Sequence, residues 1–153
     1  MLVTIRPYED KDADWISTIN AQGYEYPEPT DRLMSEIANG RCWVAEQTLS
    51  WKDDEHTSTA VVGFIVAKYK NRVPYVHNIC IVPYARGKGI GYDLLTVFHN
   101  HFAAFDETWL HVAVNNDPAI DLYYKAGYRV GNVDYNYYGP DKPALCMYRP
   151  MPK

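Results

Sequence analysis

Six stretches of the chain are strand-type runs, some alternating and some nearly continuous in apolar residues, and each predicts a strand. They are residues 2–7, 41–48, 59–69, 75–82, 108–114 and 129–134; a seventh strand at 144–149 closes the chain. In the first, Leu2, Thr4 and Arg6 share one face and Val3 and Ile5 the other. Between the strands the spacing lengthens to three and four. Ala13, Ile16 and Ile19 predict a helix over 10–21, with early acids suited to its N-terminus. Leu33, Met34 and Ile37 predict a second helix, capped by Thr30 or Asp31 and stopped by Asn39-Gly40. Ile90, Leu94, Val97, Phe98 and Phe102 mark a third over 89–104, and a fourth runs over 118–126, with Pro118 in its first turn and Gly127 at its end.

The breaks are equally readable. Pro27 and Pro29 make 24–29 irregular. Residues 50–58 form a long polar loop inside a hairpin, and 71–74 form a turn into the fourth strand. There is no repeat, low-complexity tract or linker, so residues 1–153 are expected to be one α/β domain with a mixed, mostly antiparallel sheet.

Composition narrows the field without naming a function. Net charge is −4, which supplies no broad footprint for nucleic acid. No apolar run approaches the roughly 20 residues of a membrane span, and no basic start with a long apolar core suggests a signal peptide. Cys42, Cys80 and Cys146 are odd in number and widely spaced, as free thiols in a reducing cytoplasm would be. The histidines show no ligand-type spacing with cysteines or acids, so no metal is expected. Fourteen tyrosines are unusual and suit a polar-aromatic cleft as well as a core.

The chemistry begins at Arg86-Gly87-Lys88-Gly89-Ile90-Gly91, between a strand and a helix. Glycines there leave the first amides of the helix uncovered, and the helix dipole favours an anion. A P-loop requires Lys followed by Ser or Thr after its last glycine, but Ile90 follows Gly89. A Rossmann turn requires G-x-G-x-x-G near the start of a domain, but this run lies mid-chain and reads G-x-G-x-G. Arg86, Gly89 and Gly91 do match Arg/Gln-x-x-Gly-x-Gly/Ala, the acetyl-CoA loop of the GNAT acetyltransferases. Downstream, Asn116, Ala119, Leu122, Tyr123, Gly127 and Tyr128 match Asn-x-x-Ala-x-x-Leu-Tyr-x-x-x-Gly-Phe/Tyr, the second signature of that family, in order and at the usual distance. The chain therefore resembles a GNAT enzyme over nearly its whole length, most sharply from 75 to 138.

The resemblance implies the GNAT acyl-CoA N-acyltransferase fold, whose sheet contains a splayed parallel strand pair, and acetyl-CoA as cosubstrate. The pantetheine arm would pair with backbone of Ile79, Cys80 and Ile81 as an added strand. The pyrophosphate would sit on the amides of Gly87, Lys88, Gly89, Ile90, Gly91 and Tyr92, beside Arg86. Gly87 departs from the basic or polar residue usual in the family, and Lys88 stands next to it. Asn116 would either hold the far end of the cofactor arm or cap the fourth helix. Tyr123 aligns with the tyrosine that protonates the leaving thiolate.

His111 lies in Trp109-Leu110-His111-Val112. Ribosomal-protein alanine acetyltransferases carry a glutamate at that place in a similar run. San-type N-terminal acetyltransferases carry a histidine, paired with a tyrosine on the splayed strand, and Tyr75 falls at that register. His111 with Tyr75 would thus be the base, with His77, on the same alternating face, in reserve. His99 and His101 read as surface or packing residues. Asn136-Tyr137-Tyr138 resembles the loop that closes over the peptide N-terminus in both groups, and Tyr26-Pro27 resembles the opposite wall. Residues 139–143 are this chain's own. The resemblance points to acetylation of a protein or peptide N-terminus. Acetylation of a small-molecule amine and a non-catalytic acyl-CoA binding module are the alternatives on the same fold.

Overall fold

The computed structural model describes residues 2–23, 26–50 and 56–153. The expected loops at 24–29 and 50–58 therefore fall partly outside the described residues. The described residues build one mixed sheet in the order β1-β2-β3-β4-β5-β7-β6. Its strands are β1 (Leu2–Pro7), β2 (Arg41–Ser50), β3 (Thr57–Lys70), β4 (Val73–Ile81), β5 (Glu107–Ala113), β6 (Arg129–Asp134) and β7 (Ala144–Pro150). Helices α1 (Ala13–Gly23), α2 (Thr30–Asn39), α3 (Ile90–His101) and α4 (Asp117–Lys125) flank it. None of them is long and apolar enough to cross a membrane.

β3 is buried without interruption from Val61 to Ala67 because helices cover both faces of the sheet there. On one face Ile65, Val76 and Leu110 pack against Leu94, Leu95 and Phe98 of α3 and Tyr123 of α4. On the other, Val44, Phe64 and Val66 pack against Ile16 and Ile19 of α1 and Leu33 and Ile37 of α2. The acids before α1 have a more specific use than favouring its dipole. A short 3-10 turn, Asp10–Asp12, precedes that helix. Its Asp12 is buried and takes two 2.9 Å hydrogen bonds from Arg6, whose guanidinium also reaches Glu46 at 2.8 Å. Burial would raise the Asp12 carboxyl, but Arg6 and the Glu9 amide hold it below its ordinary range.

The strands reach further than expected, β2 to Ser50, β3 from Thr57 and β4 from Val73, and two helix ends change. The second helix is not capped by Thr30 or Asp31. Leu33 N donates to Pro29 O at 3.1 Å, so Thr30 is already inside the helix and Pro29 is the cap, with no side-chain bond. The third helix ends at His101 rather than 104, because the Phe102 ring turns into the core and joins Phe98 and Phe105.

Topology positions the site through one ladder. Among the described residues β4 and β5 are the one parallel pair, joined only at Tyr75↔Trp109 and Val76↔Leu110. β4 runs on to Ile81 and β5 to Ala113 without further pairing, which is the expected splay. On its other edge β4 carries a bulge: Val66 faces Asn78 and Ala67 faces Val76, so His77 has no cross-strand partner. The simple alternation that put His77 in step with Tyr75 is broken at that point.

Candidate active site

The glycine loop takes the form its residues require. Gly87 and Gly89 have φ of 75° and 83°, a region costly for side-chain-bearing residues. A Cβ at either would meet nothing within 4 Å, so the space above the loop is open. Asp93 N makes its helical bond to Gly89 O at 3.0 Å, so the amides of Ile90, Gly91 and Tyr92 precede the first turn's bonds. Gly91 differs from its neighbours: a Cβ there would lie 3.0 Å from Leu122 Cδ2, so it lets α3 approach α4. Arg86 folds back to donate from Nε to Ile81 O at 3.0 Å, tying the loop to the end of β4, and Lys88 is exposed.

Ile79, Cys80 and Ile81 pair with Ile65, Phe64 and Gly63 on the β3 side. The Cys80 side chain is core: burial pushes its thiol up to about 11, and a Cβ on Gly23 would collide with its sulfur. Backbone is what Cys80 can offer a ligand. Asn116 is the N-cap of α4, its Oδ1 accepting from Ala119 N at 3.3 Å, which is the capping alternative. Tyr123 is buried on α4 with its ring against Tyr128, and burial raises its phenol well above the ordinary value. Among the described residues nothing hydrogen-bonds the Tyr123 hydroxyl.

Tyr75 and His111, from the two splaying strands, meet: the Tyr75 hydroxyl and His111 Nδ1 are 2.5 Å apart. Tyr137 lies flat on the imidazole, centroids 4.0 Å apart and planes 5° apart, and its hydroxyl is 3.2 Å from that of Tyr75. Burial lowers the His111 pKa, a bond to Asp134 works against that, and Lys70 lowers it further. The second wall closes on the first. Tyr26 packs on Tyr138 with centroids 5.0 Å apart, Tyr138 packs edge-on to Tyr137, and Lys142 sits 5.0 Å over the Tyr26 ring. Burial pushes the Tyr138 phenol up to about 12. Pro27 is exposed beside Tyr26. His77 stands apart from this group, its Nε2 2.8 Å from Glu28 Oε1. His99 is buried and bonded to the Tyr128 hydroxyl at 2.9 Å, a packing residue, while His101 is exposed.

Three neighbours of this group carry no motif. Asp134, at the end of β6, lies 2.6 Å from His111 Nε2. Lys70 places Nζ 4.3 Å from the Tyr75 ring centroid. Cys146 pairs with His111 across β5 and β7. Lys70, Tyr75, His111 and Cys146 line a hollow of about 210 Å³. Among the described residues His111, Asp134 and Cys146 are also the group whose donor atoms, all within 4.8 Å of one another, could hold a metal ion. Linear spacing had suggested no such set; these residues come from three strands.

The residues thus place free amides at a helix start, a strand edge leading to them, a phenol on α4 and a Tyr75–His111 contact where the strands part. Known proteins similar to this chain share its family and fold. The model of the acetyltransferase (GNAT) family matches residues 8–128. An uncharacterized N-acetyltransferase of Methanocaldococcus jannaschii is 26% identical over 97% of this chain and 92% of its own. The probable N-acetyltransferase san of Drosophila melanogaster is 33% identical over 92 residues, 55% of this chain and 50% of its own. The crystal structure of the ribosomal-protein-S18-alanine N-acetyltransferase of Escherichia coli superposes with a TM-score of 0.80 at 19% identity, covering 99% of this chain and 96% of that one. With the family match spanning most of its length, the chain belongs to the GNAT family and is an acetyl-CoA-dependent N-acetyltransferase.

Proposed function

We propose that this enzyme acetylates the N-terminal α-amine of a protein or peptide. Acetyl-CoA lies with its pantetheine arm along Ile79, Cys80 and Ile81 and its pyrophosphate on the amides from Gly87 to Tyr92. Tyr75 and His111 take the proton of the incoming ammonium. The amine attacks the thioester carbon, and Tyr123 protonates the departing thiolate. A phenol held above its ordinary pKa stays protonated and is suited to that last step.

The observation that carries the reading is the contact of Tyr26 with Tyr138 beside the Tyr75–Tyr137–His111 group. Rings in contact leave no passage between them, so they cover the group as one aromatic surface. An acceptor passing under such a cover is favoured as an extended main chain and disfavoured as a wide or branched one. The base agrees. A peptide α-amine has a pKa of about 7.7–8.0, within reach of a histidine, whereas a lysine amine near about 10.4 is not. Support from relatives is in their names: one structural neighbour acts on an alanine of a ribosomal protein.

Turnover of acetyl-CoA on peptides that vary only in their first residues, with polyamines and aminoglycosides alongside, tests the reading. The expected product carries acetyl on the α-nitrogen. Acetyl located on an internal lysine, or a small amine preferred to every peptide, overturns it.

A further inference from the structure

We propose that Asp134 is a positioning residue for this acetyl transfer, holding His111 in the tautomer whose Nδ1 receives the Tyr75 proton. The proposal rests on the amine acetylation proposed above. It makes Tyr75, His111 and Asp134 a single proton-accepting chain drawn from β4, β5 and β6.

The direction of the chain follows from what each atom can do. An ionised carboxylate only accepts, so at 2.6 Å the Asp134 oxygen requires a proton on His111 Nε2. In a neutral imidazole Nδ1 then has a free lone pair. The Tyr75 hydroxyl, 2.5 Å away, must be the donor to it. The other tautomer would set the Nε2 lone pair against a carboxylate oxygen, with no proton between them. Tyr137 keeps the imidazole from turning away: it covers the ring at 4.0 Å, nearly parallel. Its hydroxyl, 3.2 Å from that of Tyr75, can donate to the oxygen that Tyr75 leaves exposed.

The groups facing His111 are Tyr75 from β4, Lys70 from the end of β3, Asp134 from β6, Tyr137 from the loop between β6 and β7, and Cys146 from β7. Of these, Lys70 opposes a charged imidazole and Asp134 favours it. The Asp134 side chain is 42% exposed against 10% for His111, so the chain starts in the slot and ends in water.

The step balances. An ammonium N–H bond of the acceptor breaks and its proton passes to the Tyr75 oxygen, while the original Tyr75 proton moves to Nδ1. The free amine forms the C–N bond to the thioester carbon, and the C–S bond breaks. The second proton lost by nitrogen replaces the one that Tyr123 gives the thiolate. The imidazolium, paired with Asp134, returns its extra proton to solvent.

Nitrogen-15 NMR of histidine-labelled protein, with chelator present and no substrate, reads the tautomer directly. The wild type is expected to show His111 protonated at Nε2 and bare at Nδ1. Asp134→Ala is expected to lose that preference and lower the His111 pKa. Asp134→Glu is expected to restore both. In turnover, Asp134→Ala should cut kcat about ten- to a hundred-fold. That is less than the roughly 10⁴-fold of a buried triad aspartate, because Asp134 is open to solvent. The acidic limb of kcat should move to lower pH, and KM for acetyl-CoA should not change. A wild-type His111 protonated at Nδ1 overturns the proposal. So does an Asp134→Ala variant, folded by circular dichroism, whose tautomer and acidic limb stay put. If Asp134→Ala does not fold, Asp134→Asn, which keeps an acceptor and removes the charge, must still lower the His111 pKa, and an unchanged value sinks the idea. Failure to find a peptide acceptor would strike the acceptor assignment alone, since the NMR readout needs none.

Discussion

His111 and Tyr137 are stacked face to face, 4.0 Å apart, although they are 26 positions apart in sequence. An offset or parallel aromatic contact contributes about 0.5–1.5 kcal/mol beyond area burial. Spent on ring orientation, that is a few-fold to ten-fold in rate. Tyr137→Leu is expected to lower kcat by about that factor with acetyl-CoA binding unchanged. Tyr137→Phe keeps the stack and loses only the bond to Tyr75, so its loss should be smaller. Steady-state kinetics on one peptide series decides it, and a Phe variant as slow as the Leu variant would remove the stack from the account.

The glycines of the loop should separate by experiment. Gly89 has positive φ and open space around it, so a side chain there is strained by about 1–2 kcal/mol and covers the amides. Gly91 faces Leu122. Gly89→Val is expected to weaken acetyl-CoA about ten-fold or more by calorimetry. Gly91→Ala is expected to lower the denaturant midpoint slightly, because a flexible Leu122 can yield, and to leave affinity nearly alone. The reverse order of effects would reassign the cradle.

Much of this arrangement was readable before any coordinates. The glycine loop is contiguous, flanked by an alternating run and a helical run, so its place between β4 and α3 needs only local pattern. Tyr75 and His111 were legible for a different reason: His111 sits in a Trp-Leu-His-Val run, Tyr75 falls at a fixed register before the glycine loop, and the resemblance supplied the pairing. Asp134 was not legible. It reaches His111 only because β6 lies outside β7 in the order β5-β7-β6, and alternation within a strand carries no information about strand order. Lys70 depends on the tight turn at Asn71 and Arg72, both with positive φ. His77 was misplaced because one extra residue in β4 shifts everything after it, and a bulge leaves no mark in the hydrophobic pattern.

His99 predicts a pH dependence of stability that is separate from catalysis. Burial holds its folded pKa down at about 3, against 6.5 when unfolded. The unfolded chain therefore binds the proton that the folded chain refuses. Stability from this group is fully present above the unfolded value and is lost as pH falls toward about 3, at about 1.4 kcal/mol per pH unit. Urea midpoints should fall between pH 6.5 and about 5, before most carboxylates titrate. His99→Gln, which can still meet the Tyr128 hydroxyl, should flatten that slope. An unchanged slope would place the effect elsewhere.

Tyr123→Phe removes a hydroxyl that no described residue bonds, so the fold should lose little. Its cost should appear in the chemical step, about 10²-fold in kcat for the loss of one acid. Calorimetry with acetyl-CoA and a urea titration should both read as wild type. A large drop in stability with kcat intact would make Tyr123 a packing residue of α4 and leave the thiolate to solvent.

The slot itself can be tested by coupling. Tyr26 comes from the segment between α1 and α2, Tyr138 from the loop after β6, and their rings meet at 5.0 Å. If the two walls act as one surface on the acceptor, each side chain matters mainly through the other. Tyr26→Ala and Tyr138→Ala should each raise the peptide KM with little effect on acetyl-CoA. The double variant should then be less damaged than the two single losses added together. The shortfall should be about 0.5–1.5 kcal/mol in kcat/KM, the worth of one aromatic contact. Lys142, held 5.0 Å over the Tyr26 ring, offers the control. Lys142→Met keeps bulk but loses the cation, and should loosen the contact without opening the slot. Strict additivity of the two tyrosines on a peptide substrate, together with unchanged KM for Tyr138→Ala, would mean that the acceptor does not bind against them.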